Sequence, residues 1–153
     1  MRTIDIPGDR PMTLEHLVLD MNGTLTNRGE LIDGVAERLA AISADMTIHV
    51  ATADTFGAAE ALETRLGIAV LRIADGSDKA RLIARLGPEH TAAIGNGRND
   101  APMLAAARLG IAVIGPEGAA TAAVLAADVV CRDICDALDM LLDDRVLRAT
   151  LRA

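Results

Sequence analysis

The sequence predicts an α/β domain: a three-layer, doubly wound arrangement in which about six mainly parallel strands lie between helices on both faces. Short apolar runs rich in β-branched residues recur along the chain, and each is followed by a segment whose apolar residues fall three and four apart. Several runs are apolar at consecutive positions, as strands covered on both faces should be. The length of 153 residues reads as one domain, 1–153.

Strands are expected at 15–20, 46–51, 68–72, 91–94, 110–114 and 128–131, and covering helices at 34–43, 56–66, 78–86, 99–108, 118–125 and 134–143. After the first strand, Thr24-Leu25-Thr26 and Glu30-Leu31-Ile32 flank Asn27-Arg28-Gly29, a small β-hairpin flap with a glycine turn. Ser77 or Asp78 is placed to cap the helix that carries Lys79. Gly67, Gly87 and Gly110 follow helical runs, where a left-handed residue ends a helix at low cost, and Gly87-Pro88 is a firm stop. In the last stretch Ile134, Leu138, Leu141, Leu142 and Leu147 share one helical side. That side suits packing on the sheet or a contact between copies, so a homo-oligomer stays open.

Composition excludes several classes. Hydrophobic residues at 51% and charged residues at 24% are ordinary globular usage. Phe56 is the only aromatic residue against 29 alanines, so the core is built from Ala, Leu, Ile, Val and Met, and no ring is offered for stacking a nucleobase beyond that one. A net charge of −7 opposes nucleic-acid binding, which needs clustered cations. No apolar run reaches the roughly 18 residues of a membrane span, and no basic-then-apolar leader is seen, so the chain reads as cytoplasmic. Cys131 and Cys135 fit small apolar roles in a reducing compartment, since His16, His49 and His90 are scattered and complete no metal motif.

In an open parallel sheet, ligands gather at the carboxyl ends of the strands, where strand order reverses. Those ends here carry Asp20-Met21-Asn22-Gly23-Thr24, Thr52-Ala53-Asp54 and Gly95-Asn96-Gly97-Arg98-Asn99-Asp100, with Lys79 opening the helix after the third strand. The set suits phosphoryl transfer. A carboxylate can attack phosphorus and divide the displacement into two steps. A divalent ion brings the two anions together, and Mg2+ favours a carboxylate plus phosphate oxygens and water. Thr52 and Lys79 supply a hydrogen bond and a positive charge to the transferring oxygens, while Gly23, Gly95 and Gly97 permit close backbone approach.

These segments resemble the motifs of the haloacid dehalogenase superfamily: Asp-x-x-Gly-Thr-Leu-Thr at 20–26, a strand ending in Thr52, Lys79, and Gly-Asn-Gly-x-Asn-Asp-Ala-Pro-Met-Leu at 95–104. The last, with Thr-x-Asp at 52–54, is similar to the phosphorylation domain of P-type ATPases, and the chain resembles the small soluble proteins related to that domain. The resemblance runs from about residue 14 onward and implies a Rossmann-like core without a cap domain. It places the nucleophile on Asp20, the conserved hydroxyl on Thr52 and the phosphate-contacting lysine on Lys79. By the same resemblance the phosphate would rest among Gly23, Thr24, Thr52, Ala53, Lys79 and Asn99, and Mg2+ among Asp20, Asn22, Asn96 and Asp100.

Two positions depart from the family pattern. Asn22 stands where the phosphatases carry an aspartate that protonates the leaving group, and an amide cannot do so. Asn96 stands where a metal-binding aspartate is usual, which removes one negative charge from the cation site. Arg98, inside the same loop, is either a partial phosphate clamp or a solvent-facing cation. Only 32 positions separate Asp20 from Thr52 and 27 separate Thr52 from Lys79, which leaves no lid domain. The expected protein is a Mg2+-dependent phosphatase that forms an aspartyl phosphate on Asp20 from a small phosphorylated molecule or acyl phosphate, slowly because of Asn22. The alternative is a regulatory protein on the same scaffold that senses phosphate or Mg2+, or contacts a partner.

Overall fold

The computed structural model describes residues 1–53 and 57–153, so Asp54 and Phe56, both singled out above, and the start of the helix expected at 56–66 lie outside the described residues. The elements run β1 (Arg2–Ile4), β2 (Met12–Leu14), β3 (His16–Asp20), β4 (Thr26–Asn27), β5 (Glu30–Leu31), α1 (Val35–Ile42), β6 (Thr47–Thr52), α2 (Ala58–Leu66), β7 (Val70–Arg72) and α3 (Gly76–Leu86). They continue as β8 (Thr91–Gly95), α4 (Ala101–Ala106), β9 (Leu109–Val113), α5 (Thr121–Ala126), β10 (Val129–Cys131), α6 (Ile134–Leu142) and α7 (Asp144–Leu151), with single 3-10 turns at Pro88–His90 and Arg98–Asp100.

Six strands form one sheet in the order β10-β9-β8-β3-β6-β7, every neighbour parallel. The chain enters at the centre on β3, steps outward through β6 and β7, then returns to β8 on the other side of β3 and steps outward again. Strand order therefore reverses between β3 and β8, and the pairing of Leu19 with Ile94 brings Asp20 and Gly95 to the same rim. The expected hairpin flap is β4–β5, with Thr26 opposite Leu31.

Alternation along the strands divides the core. Leu17, Leu19, Val50, Ile94 and Ile111 face α1 and α6 in the larger cluster, where Leu39, Ile42, Leu138 and Leu141 meet them. Val18, Ala51, Ala93 and Ala112 face the other way, toward Leu82, Ile83, Met103, Leu104 and Ala123 of α3, α4 and α5. Three of those four strand residues are alanine, so the second helical layer sits close to the sheet; this is where much of the alanine-rich composition is spent.

Three local readings are corrected, and one hairpin was not anticipated. Residues 2–14 form the β1–β2 hairpin, which buries Ile4, Ile6, Met12 and Leu14 and was not expected. Gly110 lies inside β9 rather than capping a helix, and it is glycine because a side chain there would meet the Leu104 carbonyl. The cap of α3 is Asp75, whose side chain accepts from the Ser77 amide at 2.7 Å, while Asp78 accepts from the Ala74 amide. The apolar side of 134–151 is divided between α6 and α7 by Asp143, which caps α7, and Ile134, Leu138, Leu141 and Leu147 are buried within this chain.

Candidate active site

The reversal point gathers polar groups in an otherwise apolar interior. Asp20 ends β3 and is 7% exposed; Lys79, in the first turns of α3, is fully buried, as are Asp100 and Thr24. The turn after β3 folds tightly because the amides of Thr24, Leu25 and Thr26 all donate to the Met21 carbonyl. Gly23 within it has φ +75°, and a Cβ there would stand 2.7 Å from Asn96 Nδ2 and 2.5 Å from Glu117 Oε2, so only glycine fits.

Lys79 Nζ donates to Asp20 Oδ1 and to Asp100 Oδ1, each at 2.6 Å. Asp100 Oδ2 accepts from the backbone amides of Asn96 at 3.0 Å and Gly97 at 2.8 Å, which fixes both the loop and the ammonium. Gly95 permits that return, since a Cβ there would lie 2.5 Å from Asp100 Cγ. The Thr24 hydroxyl lies 3.1 Å from Asp20 Oδ2 and 3.3 Å from Asn96 Oδ1. Asn96 Nδ2 in turn donates to the Gly118 carbonyl at 3.1 Å, so the loops after β3, β8 and β9 are joined.

Burial pushes the Asp20 carboxyl up to about 6 and the Asp100 carboxylate adds to the rise, against the pull of Lys79 and of the Thr24 hydroxyl. Burial works against the charge on Lys79 as well, but its two carboxylate partners outweigh this and hold it above the ordinary lysine value. The result is a carboxylate poised near neutrality beside a fixed ammonium, an arrangement suited to nucleophilic attack on an anionic centre.

The structure brings Asp20, Thr24, Lys79, Asn96 and Asp100 into one hydrogen-bonded network. Thr52 is buried at the carboxyl end of β6, one residue beyond Ala51, which pairs with Asp20. The side chain of Asn22 is exposed, and its backbone forms a bridge with Thr26. Ala53, Arg98 and Asn99 are exposed on the rim, outside the hydrogen bonds that join the network. Glu117, against Gly23, was not read from the sequence; the signal available was its place just beyond the carboxyl end of β9.

The donor set fits Mg2+. Asp20 and Asp100 offer carboxylate oxygens, and Asn22 and Asn96 offer neutral ones, all of the hard type that Mg2+ prefers. Among the described residues no three His, Cys, Asp or Glu side chains gather as a ready metal cage.

Residues 73–136, which span Lys79 and the 95–100 loop, match a family model described as haloacid dehalogenase-like hydrolase. An uncharacterized protein of Methanocaldococcus jannaschii is 55% identical over 60 residues, which take in 39% of this chain and 64% of that protein. The chain therefore spans less than two thirds of that relative. Among solved structures, 3-deoxy-D-manno-octulosonate 8-phosphate phosphatase of Moraxella catarrhalis, in complex with magnesium, phosphate and KDO, superposes with a TM-score of 0.67 at 17% identity, over 91% of this chain and 94% of that one. A zinc-transporting PIB-type ATPase superposes with a TM-score of 0.64 at 27% identity over 78% of this chain but 20% of the transporter. No described helix is long and apolar enough to cross a membrane. Over residues 73–136 the chain is thus similar to the haloacid dehalogenase-like hydrolases, and it shares the fold of the solved structures above.

Proposed function

We propose that the protein is a Mg2+-dependent phosphohydrolase that accepts a phosphoryl group on Asp20 from a small phosphomonoester or an acyl phosphate. The observation that carries this reading is the buried Asp20–Lys79–Asp100 network at the strand-order reversal, with the Asp20 carboxyl raised toward neutrality. The magnesium- and phosphate-bound neighbour on the same fold supports it.

An Asp20 oxygen attacks phosphorus, the bond to the leaving group breaks, and the leaving group departs with its electron pair. Lys79, held by Asp100, offsets charge on Asp20 and on the incoming phosphoryl oxygens, while Thr24 orients the Asp20 carboxylate. Thr52 adds a hydroxyl at the adjacent strand end. Asp20, Asn22, Asn96 and Asp100 are the residues that would hold Mg2+, and the ion would supply electrostatic relief between carboxylate and phosphate. Water then attacks the aspartyl phosphate, releasing inorganic phosphate and restoring Asp20. Asn22 gives no proton to the leaving group, so substrates with good leaving groups turn over best and ordinary esters lose roughly 100- to 10,000-fold.

Labelled acetyl phosphate tests the reading. The expected result is acid-stable, hydroxylamine-labile label that vanishes in Asp20→Asn; no label at saturating Mg2+ refutes it. A second reading, a phosphate-sensing regulatory protein with slow turnover, is favoured by the exposed Asn22 and by the hydrogen bond that ties the Asn96 amide to the Gly118 carbonyl. A large gain in turnover on Asn22→Asp would decide against it.

A further inference from the structure

We propose that β10 is the contact edge of a two-fold dimer, in which a second copy of this chain covers the groove formed by β10, α6 and α7. β10 is the outermost strand of the six, with a neighbour on one side only. Beside it runs a groove of about 620 Å3 whose apolar lining is Val130, Cys131, Met140, Leu142 and Val146. Val130, the middle residue of β10, is 44% exposed, and Val146 on α7 is 43% exposed. Ile114, another exposed apolar side chain, adjoins the end of the strand, its amide donating to the Cys131 carbonyl at 3.0 Å. A free strand edge beside apolar surface is a template for pairing unless charge or cover guards it.

The two edges of the sheet differ in that guard. β7, at the opposite edge, also borders a groove, but Arg72, Arg81 and Arg85 line it. Arg72 and Arg81 have carboxylate partners in Glu60 and Asp78, whereas Arg85 has none among the described residues. Two copies meeting there would bring like charges together. At β10 every acid of the groove is matched: Asp136 pairs with Arg132 at 3.1 Å, Asp139 with Arg38 at 2.7 Å and Asp143 with Arg145 at 2.7 Å. This decides the occupant. The chain carries −7 overall, so two copies repel across most of their surface. The β10 groove is neutral and apolar with both signs on its rim, as a self-complementary contact requires. A strongly basic or acidic partner would find no opposite charge to meet. A two-fold axis sets the two β10 strands antiparallel, and the register that pairs all three residues puts Val130 against the partner's Val130.

Sedimentation velocity over a concentration series tests this. Wild type should pass from a single chain of 15.9 kDa to two as concentration rises, and its melting temperature should rise with it. Val130→Asp should raise the dimer dissociation constant about tenfold or more, with an unchanged circular dichroism spectrum because the side chain already meets solvent. Arg132→Gln with Arg145→Gln strips Asp136 and Asp143 of their partners, and should weaken the dimer at low salt and less at high salt. Val130→Cys should give a disulfide-linked dimer on mild oxidation, whereas Leu71→Cys, exposed on β7, should not. Protein that stays a single chain up to about 1 mM overturns the inference and leaves the groove to a different protein. A dimer whose dissociation constant Val130→Asp leaves within about twofold of wild type overturns it as well, as does cross-linking through Leu71→Cys as readily as through Val130→Cys.

Discussion

Replacing Lys79 by methionine keeps most of the side-chain stem and removes the ammonium, leaving two carboxylates that Nζ had held at 2.6 Å each. Asp100 is fully buried and Asp20 is 7% exposed, so neither is rescued by bulk water. Breaking a buried ion pair in this way costs about 3–5 kcal/mol. For a chain of this length that corresponds to a melting temperature lower by roughly 6–20 °C at neutral pH. The deficit depends on pH with a definite sign. Burial and Asp100 already raise the Asp20 carboxyl, and without Lys79 the rise is larger, so the variant holds its proton to higher pH than the unfolded chain does. Its deficit is therefore smallest below the unfolded carboxyl value near pH 4 and grows as pH rises through 6 and beyond. Thermal unfolding followed by circular dichroism from pH 4 to pH 8 measures this. Asp20→Asn introduced into Lys79→Met should restore part of the loss at pH 7.5 by removing one of the two charges. A melting temperature within 2 °C of wild type at that pH, or a deficit that does not change with pH, would refute the claim that the ammonium neutralises two buried carboxylates.

Because burial and Asp100 hold the folded-state value of Asp20 at about 6, above the ordinary carboxyl value near 4, its contribution to stability is present below pH 4 and lost as pH rises through 6. About 3 kcal/mol of pH dependence should accordingly flatten in Asp20→Asn, as denaturant titrations at pH 4 and pH 7.5 would show. Over the same interval the rate of aspartyl-phosphate formation should climb with pH, since the ionised carboxylate attacks; a rate that falls from pH 5 to pH 7 contradicts the role of Asp20. Asn22→Asp should raise phosphomonoester turnover about 100-fold or more, whereas adding Asn96→Asp should bring no further gain and should lower the melting temperature by unseating Gly118. Gly95→Ala, whose Cβ would fall 2.5 Å from Asp100 Cγ, should cost about 1–3 kcal/mol by urea denaturation and reduce labelling of Asp20.

The six parallel strands were legible because each is a short apolar run closed by turn residues, and burial on both faces spares them the alternation that would blur against a helix. Their order follows from right-handed crossovers once the chain is taken to begin at the centre. The β1–β2 hairpin was not legible: three-residue strands on either side of Pro7-Gly8 offer too little pattern, although Ile4, Ile6, Met12 and Leu14 close the core. Nor was the break at Asp143, since the apolar spacing of 134–151 continues through it while the helix does not.

At the site, residue types at the strand ends showed what could react but not how the groups are shared. Asn96 illustrates the difference. Read along the chain, it is a metal-ligand position stripped of its charge. In the fold it joins Thr24, 72 residues earlier, to Gly118, 22 residues later, a bridge between loops that no local pattern encodes. The contact to the Gly118 carbonyl requires a donor, which an amide has and a carboxylate lacks. Asn22 has no comparable duty, because its side chain is exposed and its backbone alone makes the bridge to Thr26. The two asparagines, equivalent as departures from a motif, are therefore opposite as physics. Position 96 resists return to aspartate because its bond to the Gly118 carbonyl needs a donor, while position 22 is open to return, and the kinetics of the two single variants should divide along that line.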